Sequence, residues 1–142
     1  MKTDLETLRR FFAGAPFMAD LGVVPSDVAE GRVHTELTLL PRHFQHTGQV
    51  HAGVMVSMAD HSMGAAAQTM AADGDVIITA ELSTRLLRAA RGERLICEAR
   101  VLKPGRLVSF TEAEVYAWRE GQRVLVAKAS ATMAVTARTP PD

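Results

Sequence analysis

The chain carries one carboxylate, Asp60, inside a run of mostly apolar or small residues between Ala52 and Met70. If this run is an α-helix, successive side chains are about 100° apart, and a set of polar or small positions falls within one arc of roughly 100°. The positions in this arc are Ser57, Asp60, His61, Gly64 and Gln68. The spacing therefore predicts a narrow polar seam on a helix that is otherwise buried.

Two interpretations of this seam are open. In the first, Asp60 and His61 belong to an ordinary solvent-facing stripe. In the second, the seam lines a cleft in which Ser57 and His61 contact a substrate, and Asp60 acts as a general base or a nucleophile. Helical periodicity is compatible with both interpretations.

The residues just before the helix offer a second chemical group. His51, Ala52 and Gly53 stand where the helix is expected to begin, and the first N–H groups of a helix have no intrahelical partner. Gly53 has no side chain to block a close approach, so its N–H could point at a developing oxyanion. His51 and Ala52 would then lie beside the bound substrate. A donor at the helix start and a carboxylate two turns later form a workable layout for acyl transfer.

The elements that must position these groups follow from periodicity and turn residues. The segment Arg32–Leu40 alternates strictly between apolar and polar residues, which predicts a half-buried strand that Pro41 ends. The predicted elements are a helix at 3–13, strands Met18–Val28 and Arg32–Leu40, a polar loop at 42–51, a helix Ala52–Ala72, strands Val76–Leu87, Arg94–Lys103, Leu107–Trp118 and Arg123–Thr136, and a frayed tail at 139–142.

This order of elements predicts an α+β fold in which one curved antiparallel sheet wraps around the long helix. The length of 142 residues suits a single domain spanning 1–142, with a core at about 21–136.

Composition excludes several classes of function. Sixteen basic and sixteen acidic residues cancel, whereas a nucleic-acid-binding protein would normally show a basic excess. No uninterrupted apolar stretch of about 20 residues is present, so no membrane span is expected. The N-terminus lacks a signal-peptide pattern, and Cys97 is the only cysteine and is expected to be an inert core residue. These features favour a cytoplasmic protein, and the neutral charge is compatible with burial of surface in an oligomer.

The pattern Gln45-x-x-Gly48-x-x-His51-Ala52-Gly53, followed by Asp60, resembles the phenylacetate-pathway type of hotdog-fold thioesterase. That family shows an Asn-x-x-Gly-x-x-His-Gly-Gly loop and then an Asp nine residues after the His, which is the spacing from His51 to Asp60. The resemblance in element order and length extends from about residue 21 to residue 135. The motif is short, but several of its spacings are fixed and lie in the expected structural context.

The resemblance implies a hotdog fold and a homodimer, often paired into a homotetramer, with active sites at the subunit interface. It also implies hydrolysis of acyl-CoA thioesters without a metal or bound cofactor. By position, Asp60 would be the nucleophile or general base, and the Gly53 N–H would be the oxyanion donor. Gln45 would help to hold the carbonyl or the water, and Thr79 matches a strand hydroxyl that orients the water in some members. In this family, the loop and the Asp of one site come from different subunits.

Two positions depart from the family pattern. Gln45 replaces the usual Asn, which keeps the amide but adds a methylene, and Ala52 replaces the first glycine of the pair. Neither change removes the acid or the proposed oxyanion donor, but both leave the rate and the substrate class open.

Other polar residues allow more than one interpretation. Arg85 and Arg88 could bind the phosphates of CoA, although charged residues at strand ends are also ordinary solubility features. His43 and His46 lie near His51, but no Cys or acid accompanies them at the spacing of metal ligands, so no metal site is expected. His51 is instead expected to shape the loop through a hydrogen bond to the backbone.

The leading hypothesis is hydrolysis of a small aromatic or a short- or medium-chain acyl-CoA to the free acid and CoA. The alternative is an acyl-CoA-binding hotdog protein that does not catalyse a reaction. Hydratase chemistry would need a paired His and acid, and adjacent positions such as Asp60 and His61 lie about 100° apart on a helix. The acyl group, the choice between dimer and tetramer, and the role of Asp60 as nucleophile or base stay open at this point.

Overall fold

The computed structural model describes residues 3–137. The predicted tail at 139–142 lies outside the described residues. Within 3–137, the helices are α1 (Leu5–Ala13), α2 (Pro16–Leu21) and α3 (Ala52–Gln68), with a 3-10 turn at Pro41–His43. The strands are β1 (Val24–Ala29), β2 (Arg32–Thr38), β3 (Asp75–Leu86), β4 (Arg94–Lys103), β5 (Val108–Arg119) and β6 (Gln122–Ala137).

All six strands form one antiparallel sheet with the order β1-β2-β4-β5-β6-β3. The strand that follows α3 therefore crosses the sheet and pairs with β6 at the far edge. The sheet curves around α3, which contacts five of its six strands, β2 to β6. The expected α+β hotdog fold is thus confirmed, and its long helix is the central one.

The face of α3 opposite the polar seam forms the centre of the core. Met58 and Met63 are fully buried, and three consecutive alanines, Ala65 to Ala67, allow the sheet to approach the helix closely. The prediction that α3 continues to Ala72 is wrong by four residues. Its last residue, Gln68, donates from its side-chain amide to the Asp75 carbonyl, at 2.9 Å, which joins the helix end to β3. None of the helices within 3–137 is long and apolar enough to span a membrane.

The N-terminal region differs from the prediction. The helix at 3–13 is present as α1, and the Asp4 side chain caps it by accepting from the Thr7 N–H at 2.8 Å. The predicted strand at Met18–Val28 is wrong in its first part, because α2 occupies Pro16–Leu21 and β1 begins at Val24. A proline is favourable at the first position of a helix, and a short apolar run is compatible with either a helix or a strand.

The strand β3 is an edge of the sheet within the described chain. Its pairing with β6 shifts register between Thr79 and Glu81, which marks a β-bulge. Several large apolar side chains near this edge are exposed, namely Val76, Ile78, Leu86 and Leu87. An exposed apolar edge strand can pair with another strand, because its outer N–H and C=O groups lack sheet partners.

Candidate active site

The polar seam predicted on α3 is present in the structure. Its five positions are all half-buried, whereas most of the remaining helix is fully buried. The seam positions are Ser57, Asp60, His61, Gly64 and Gln68. The helix is therefore covered on one side by the sheet and open along a single stripe.

Asp60 and Thr79 are in direct contact across the gap between α3 and β3. The Thr79 hydroxyl donates a hydrogen bond to Asp60 Oδ1 at 2.7 Å, and the Sδ atom of Met133 lies 3.4 Å from the same hydroxyl. The bulge begins at Thr79, and bulges can change the direction in which a strand side chain points. The structure thus brings together Asp60 and Thr79, the two residues to which the family resemblance assigns the acid and the water-orienting hydroxyl.

His61 faces α1 and not the carboxylate side of the seam. Its ring is stacked on Phe11 with a centroid distance of 5.4 Å, and it meets Phe12 edge-on at 4.5 Å. Its Nε2 atom is buried and has no hydrogen-bond partner among residues 3–137. Burial lowers the pKa of His61, and the nearby Asp60 charge opposes this effect only in part. His61 is therefore a neutral wall of the seam.

The start of α3 is closed by a local hydrogen bond. The Nδ1 atom of His51 accepts from the Gly53 N–H at 2.9 Å, and the Ser57 hydroxyl donates to the Gly53 carbonyl at 2.7 Å. His51 is exposed, so solvent can compete for this hydrogen bond. In the single chain, the Gly53 N–H, which is the candidate oxyanion donor, is thus already bonded to the helix-capping side chain of His51.

The loop before α3 is anchored by a buried histidine. His43 Nδ1 accepts from the Leu40 N–H at 2.9 Å, so the neutral ring donates from Nε2 to the Leu21 carbonyl at 2.7 Å. The His43 carbonyl in turn accepts from the His51 N–H at 2.9 Å. The sequence suggested His43 only as a candidate metal ligand, so this structural role was not predicted. A local signal was present, since Pro41 favours the start of a short helical turn, and His43 is the last residue of the 3-10 turn Pro41–His43.

Gln45 lies in the same loop and also has a local partner. Its side-chain oxygen accepts from the Thr47 N–H at 2.9 Å, and its backbone N–H donates to the Gln49 carbonyl at 2.8 Å. The amide oxygen is therefore already hydrogen-bonded in the single chain. It lies at the rim of a cavity of about 330 Å³ beside the start of α3, which Ala52, Met55 and Arg88 also line.

The two arginines considered as phosphate ligands lie in different places. Arg88 borders the cavity beside Gln45, and one of its guanidinium N–H groups donates to the Leu125 carbonyl at 2.9 Å. Arg85 pairs in register with Lys128, which alternates with buried alanines and therefore points to the outer face of the sheet. The structure keeps Arg88 near the candidate site and separates Arg85 from it. A second cavity, of about 330 Å³, joins Arg88 to Arg91 and Arg119.

Asp60 and Gly53 of one chain are too far apart to act on the same carbonyl group. They are seven residues apart on a regular helix, which corresponds to roughly 10 Å along its axis. A donor and a nucleophile that serve one carbonyl must both lie at about 3 Å from it. Each chain therefore contains both halves of a possible acyl-transfer site, at separate points of α3.

The remaining groups of the described chain that could bind a metal or act as a nucleophile lie outside the seam or in the core. Within 3–137, no cluster of three or more His, Cys, Asp or Glu side chains could hold a metal ion. Cys97 is fully buried, and burial raises its pKa to about 12 although the Ser62 and Thr35 side chains hydrogen-bond to it. Thr35 and Ser62 also bond to each other at 2.8 Å and link β2 to α3. The expectation that Cys97 is an inert core residue agrees with this environment.

Comparison with known proteins identifies the family. A sequence model of the Thioesterase superfamily matches residues 47–126, which include the end of the loop, α3, β3 to β5 and the first residues of β6. This match covers more than half of the chain, so the protein belongs to the Thioesterase superfamily. A search of curated proteins finds no match.

Solved structures give the same result. A thioesterase family protein from Silicibacter pomeroyi is 31% identical, with a TM-score of 0.89 over 93% of this chain and 97% of the other. A putative thioesterase from Ralstonia eutropha JMP134, described as related to phenylacetic acid degradation, is 26% identical, with a TM-score of 0.76 over 88% and 96%. A Bacillus halodurans protein solved with CoA is 24% identical, with a TM-score of 0.67 over 72% and 66%. The last likeness is one of fold alone.

Proposed function

We propose that this protein is an acyl-CoA thioesterase that hydrolyses a small aromatic or a short- or medium-chain acyl-CoA to the free acid and CoA. The observation that carries the proposal is the 2.7 Å hydrogen bond from Thr79 to Asp60 on the open seam of α3. Membership of the Thioesterase superfamily supports the same reaction class. The phenylacetate-pathway type is favoured by the Gln45-to-Asp60 spacing and by the likeness to the Ralstonia protein.

Asp60 would act as nucleophile or general base, and Thr79 would position both Asp60 and the attacking water. The Thr79 hydroxyl donates its one hydrogen to Asp60, and its lone pairs stay available to accept from a water molecule. The oxyanion would replace His51 Nδ1 as acceptor of the Gly53 N–H. This exchange is favourable because hydrogen bonds to a charged acceptor are stronger than those to a neutral ring nitrogen.

The complete site would form between two copies of the chain. Because Asp60 and Gly53 of one chain are about 10 Å apart along α3, a two-fold axis near Ser57, midway between them, would bring Asp60 of one copy to Gly53 of the other. The unpaired edge β3, with exposed Val76 and Ile78, offers a surface that such a contact would cover. A homodimer is thus the smallest assembly that the proposed chemistry allows.

The CoA moiety would extend from the start of α3 toward Arg88. Arg88 lines the cavity that also contains Gln45, Ala52 and Met55, and arginine binds phosphate groups well. Arg85 is not part of this proposal, because it lies on the outer face of the sheet. CoA is also present in the Bacillus halodurans neighbour, which shares the fold.

One observation favours a second candidate function, acyl-CoA binding without catalysis. Both loop groups have internal partners in the single chain: the Gly53 N–H donates to His51 Nδ1, and the Gln45 side-chain oxygen accepts from the Thr47 N–H. If these bonds persist in the dimer, the oxyanion would lack its donor. The two functions differ in whether thioester is consumed.

The first test is free-thiol release from a panel of acyl-CoAs, spanning phenylacetyl, hydroxybenzoyl and C4 to C12 acyl groups. We expect turnover by the wild-type protein and its loss in Asp60→Asn, which keeps the size of the side chain but removes its charge. Turnover that persists in Asp60→Asn would refute the role of Asp60. A folded, oligomeric wild-type protein that binds acyl-CoA but hydrolyses none would support the second candidate.

A complementation test addresses the shared site. Asp60→Asn and Gln45→Ala are each expected to be inactive or strongly impaired as pure dimers, and they are unfolded together and refolded as a mixture. Random pairing makes half of the dimers mixed, and each mixed dimer regains one intact site, so activity should return to about a quarter of the wild-type value. Mixtures that stay as inactive as their components, despite exchange of subunits, would refute a site built from two copies.

A further inference from the structure

Gly64 stands on the seam of α3 with open space above it. A Cβ atom at this position would meet no atom of residues 3–137 within 4 Å, apart from its chain neighbours and its own helix backbone. Glycine in the middle of a helix is unfavourable by about 1 kcal/mol relative to alanine. Packing inside the chain therefore gives no reason for glycine here. The absence of a side chain at Gly64 leaves room for a group that is not part of this chain.

The open space has defined borders. It begins one helical turn after Asp60, because Gly64 follows Asp60 by four residues on the same face. It ends at Gln68, whose side chain bonds to the Asp75 carbonyl at 2.9 Å and to the Ile77 N–H at 3.2 Å, and so closes the gap between α3 and β3. The His61 ring, which is stacked on Phe11, lies about one helical turn before Gly64 on the same seam.

We propose that the space above Gly64 receives the acyl group, and that the size of residue 64 determines which acyl groups are accepted. This inference rests on the proposed thioesterase function. Gly64 lies about 6 Å and Gln68 about 12 Å beyond Asp60 along the helix. An extended chain advances about 1.2 Å per bond, so the distance from Asp60 to Gln68 along the helix corresponds to an unbranched acyl group of about ten carbons. A butyryl group would end before Gly64, and an octanoyl group would pass over it.

The test compares Gly64→Ala and Gly64→Leu with the wild-type protein on acetyl-, butyryl- and octanoyl-CoA. Gly64→Ala is the matched control, because it changes the helix propensity in the same direction but adds only one methyl group. We expect kcat/KM of Gly64→Leu for octanoyl-CoA to fall roughly 50-fold or more, since each buried methylene contributes about fourfold to binding. Activity on acetyl- and butyryl-CoA should stay within about threefold of wild type, because these acyl groups end before Gly64 and lose no buried methylene.

A binding measurement separates failure of this inference from failure of the proposed function. The affinities of octanoyl-CoA and free CoA are measured by calorimetry in Asp60→Asn, with and without Gly64→Leu. We expect the leucine to remove the advantage of octanoyl-CoA over CoA, whether or not the wild-type protein hydrolyses either compound. An unchanged octanoyl preference in Gly64→Leu would overturn the inference. Dissociation of the oligomer in light scattering would also overturn it, because the space would then belong to a second copy of the chain.

Discussion

Replacement of Thr79 by valine tests the contact that carries the proposed mechanism. Valine has nearly the same shape as threonine but cannot donate a hydrogen bond, so the variant removes the 2.7 Å bond to Asp60 and leaves the contact with Met133. Thr79 is exposed in the single chain, so its loss should change stability little. The effect is expected in the chemical step.

The magnitude follows from the charge of the acceptor. A hydrogen bond to a charged group contributes about 1.5–3 kcal/mol. Each 1.36 kcal/mol or so in the activation barrier changes a rate tenfold, so full use of this bond in the transition state corresponds to roughly 10- to 150-fold in kcat. We therefore expect Thr79→Val to lower kcat by at least about 10-fold.

The assay is steady-state hydrolysis of the best acyl-CoA of the panel, with kcat and KM determined separately. Thr79→Ser is the matched control, since it keeps the hydroxyl and loses only a methyl group. We expect Thr79→Val to lower kcat and leave KM nearly unchanged, because the bond acts on the carboxylate and the water and not on CoA. Thr79→Ser should retain most of the wild-type kcat.

Three results would contradict the reasoning about Thr79. The first is a wild-type kcat in Thr79→Val, which would make the hydrogen bond irrelevant to the chemistry. The second is an equal decrease in the serine and valine variants, which would assign the effect to packing of the methyl group. A lower thermal midpoint in Thr79→Val alone would also point to a structural role.

Two further perturbations test the residues that support the site. The pKa of His61 is lowered in the folded state, so the unfolded state takes up a proton at a higher pH, and stability should fall as the pH drops below about 6.5. The thermal midpoint of His61→Leu should therefore decrease less than that of the wild-type protein between pH 7.5 and 5.5. An equal decrease in both proteins would show that His61 does not cause the loss of stability. His43→Ala should lower the free energy of unfolding by about 3 kcal/mol, because it removes two hydrogen bonds and leaves a buried cavity. Urea denaturation measures this change, and a loss below about 1 kcal/mol would argue against His43 as the anchor of the loop.

Local patterns determined much of the fold before any contact was known. The strict alternation in Arg32–Leu40 predicted β2, whose Val33, Thr35 and Leu37 are buried in the structure. The spacing of polar residues on α3 predicted the seam, and all of its positions are half-buried. Such predictions succeed because strands repeat every two residues and helices every 3.6, so the sequence itself contains the periodicity. The apolar segment at Met18 lacked a decisive period, and there the prediction of a strand was wrong.

The arrangement of the candidate site depended on tertiary structure. Thr79 reaches Asp60 only because β3 crosses to β6 and bulges at that residue, and neither event is encoded in a local period. His61 is held neutral because α1 places Phe11 and Phe12 against it. The sequence determined which residues share a face of α3. The packing of other elements on that face decided which of them meet, because contacts between distant segments depend on strand register and helix docking.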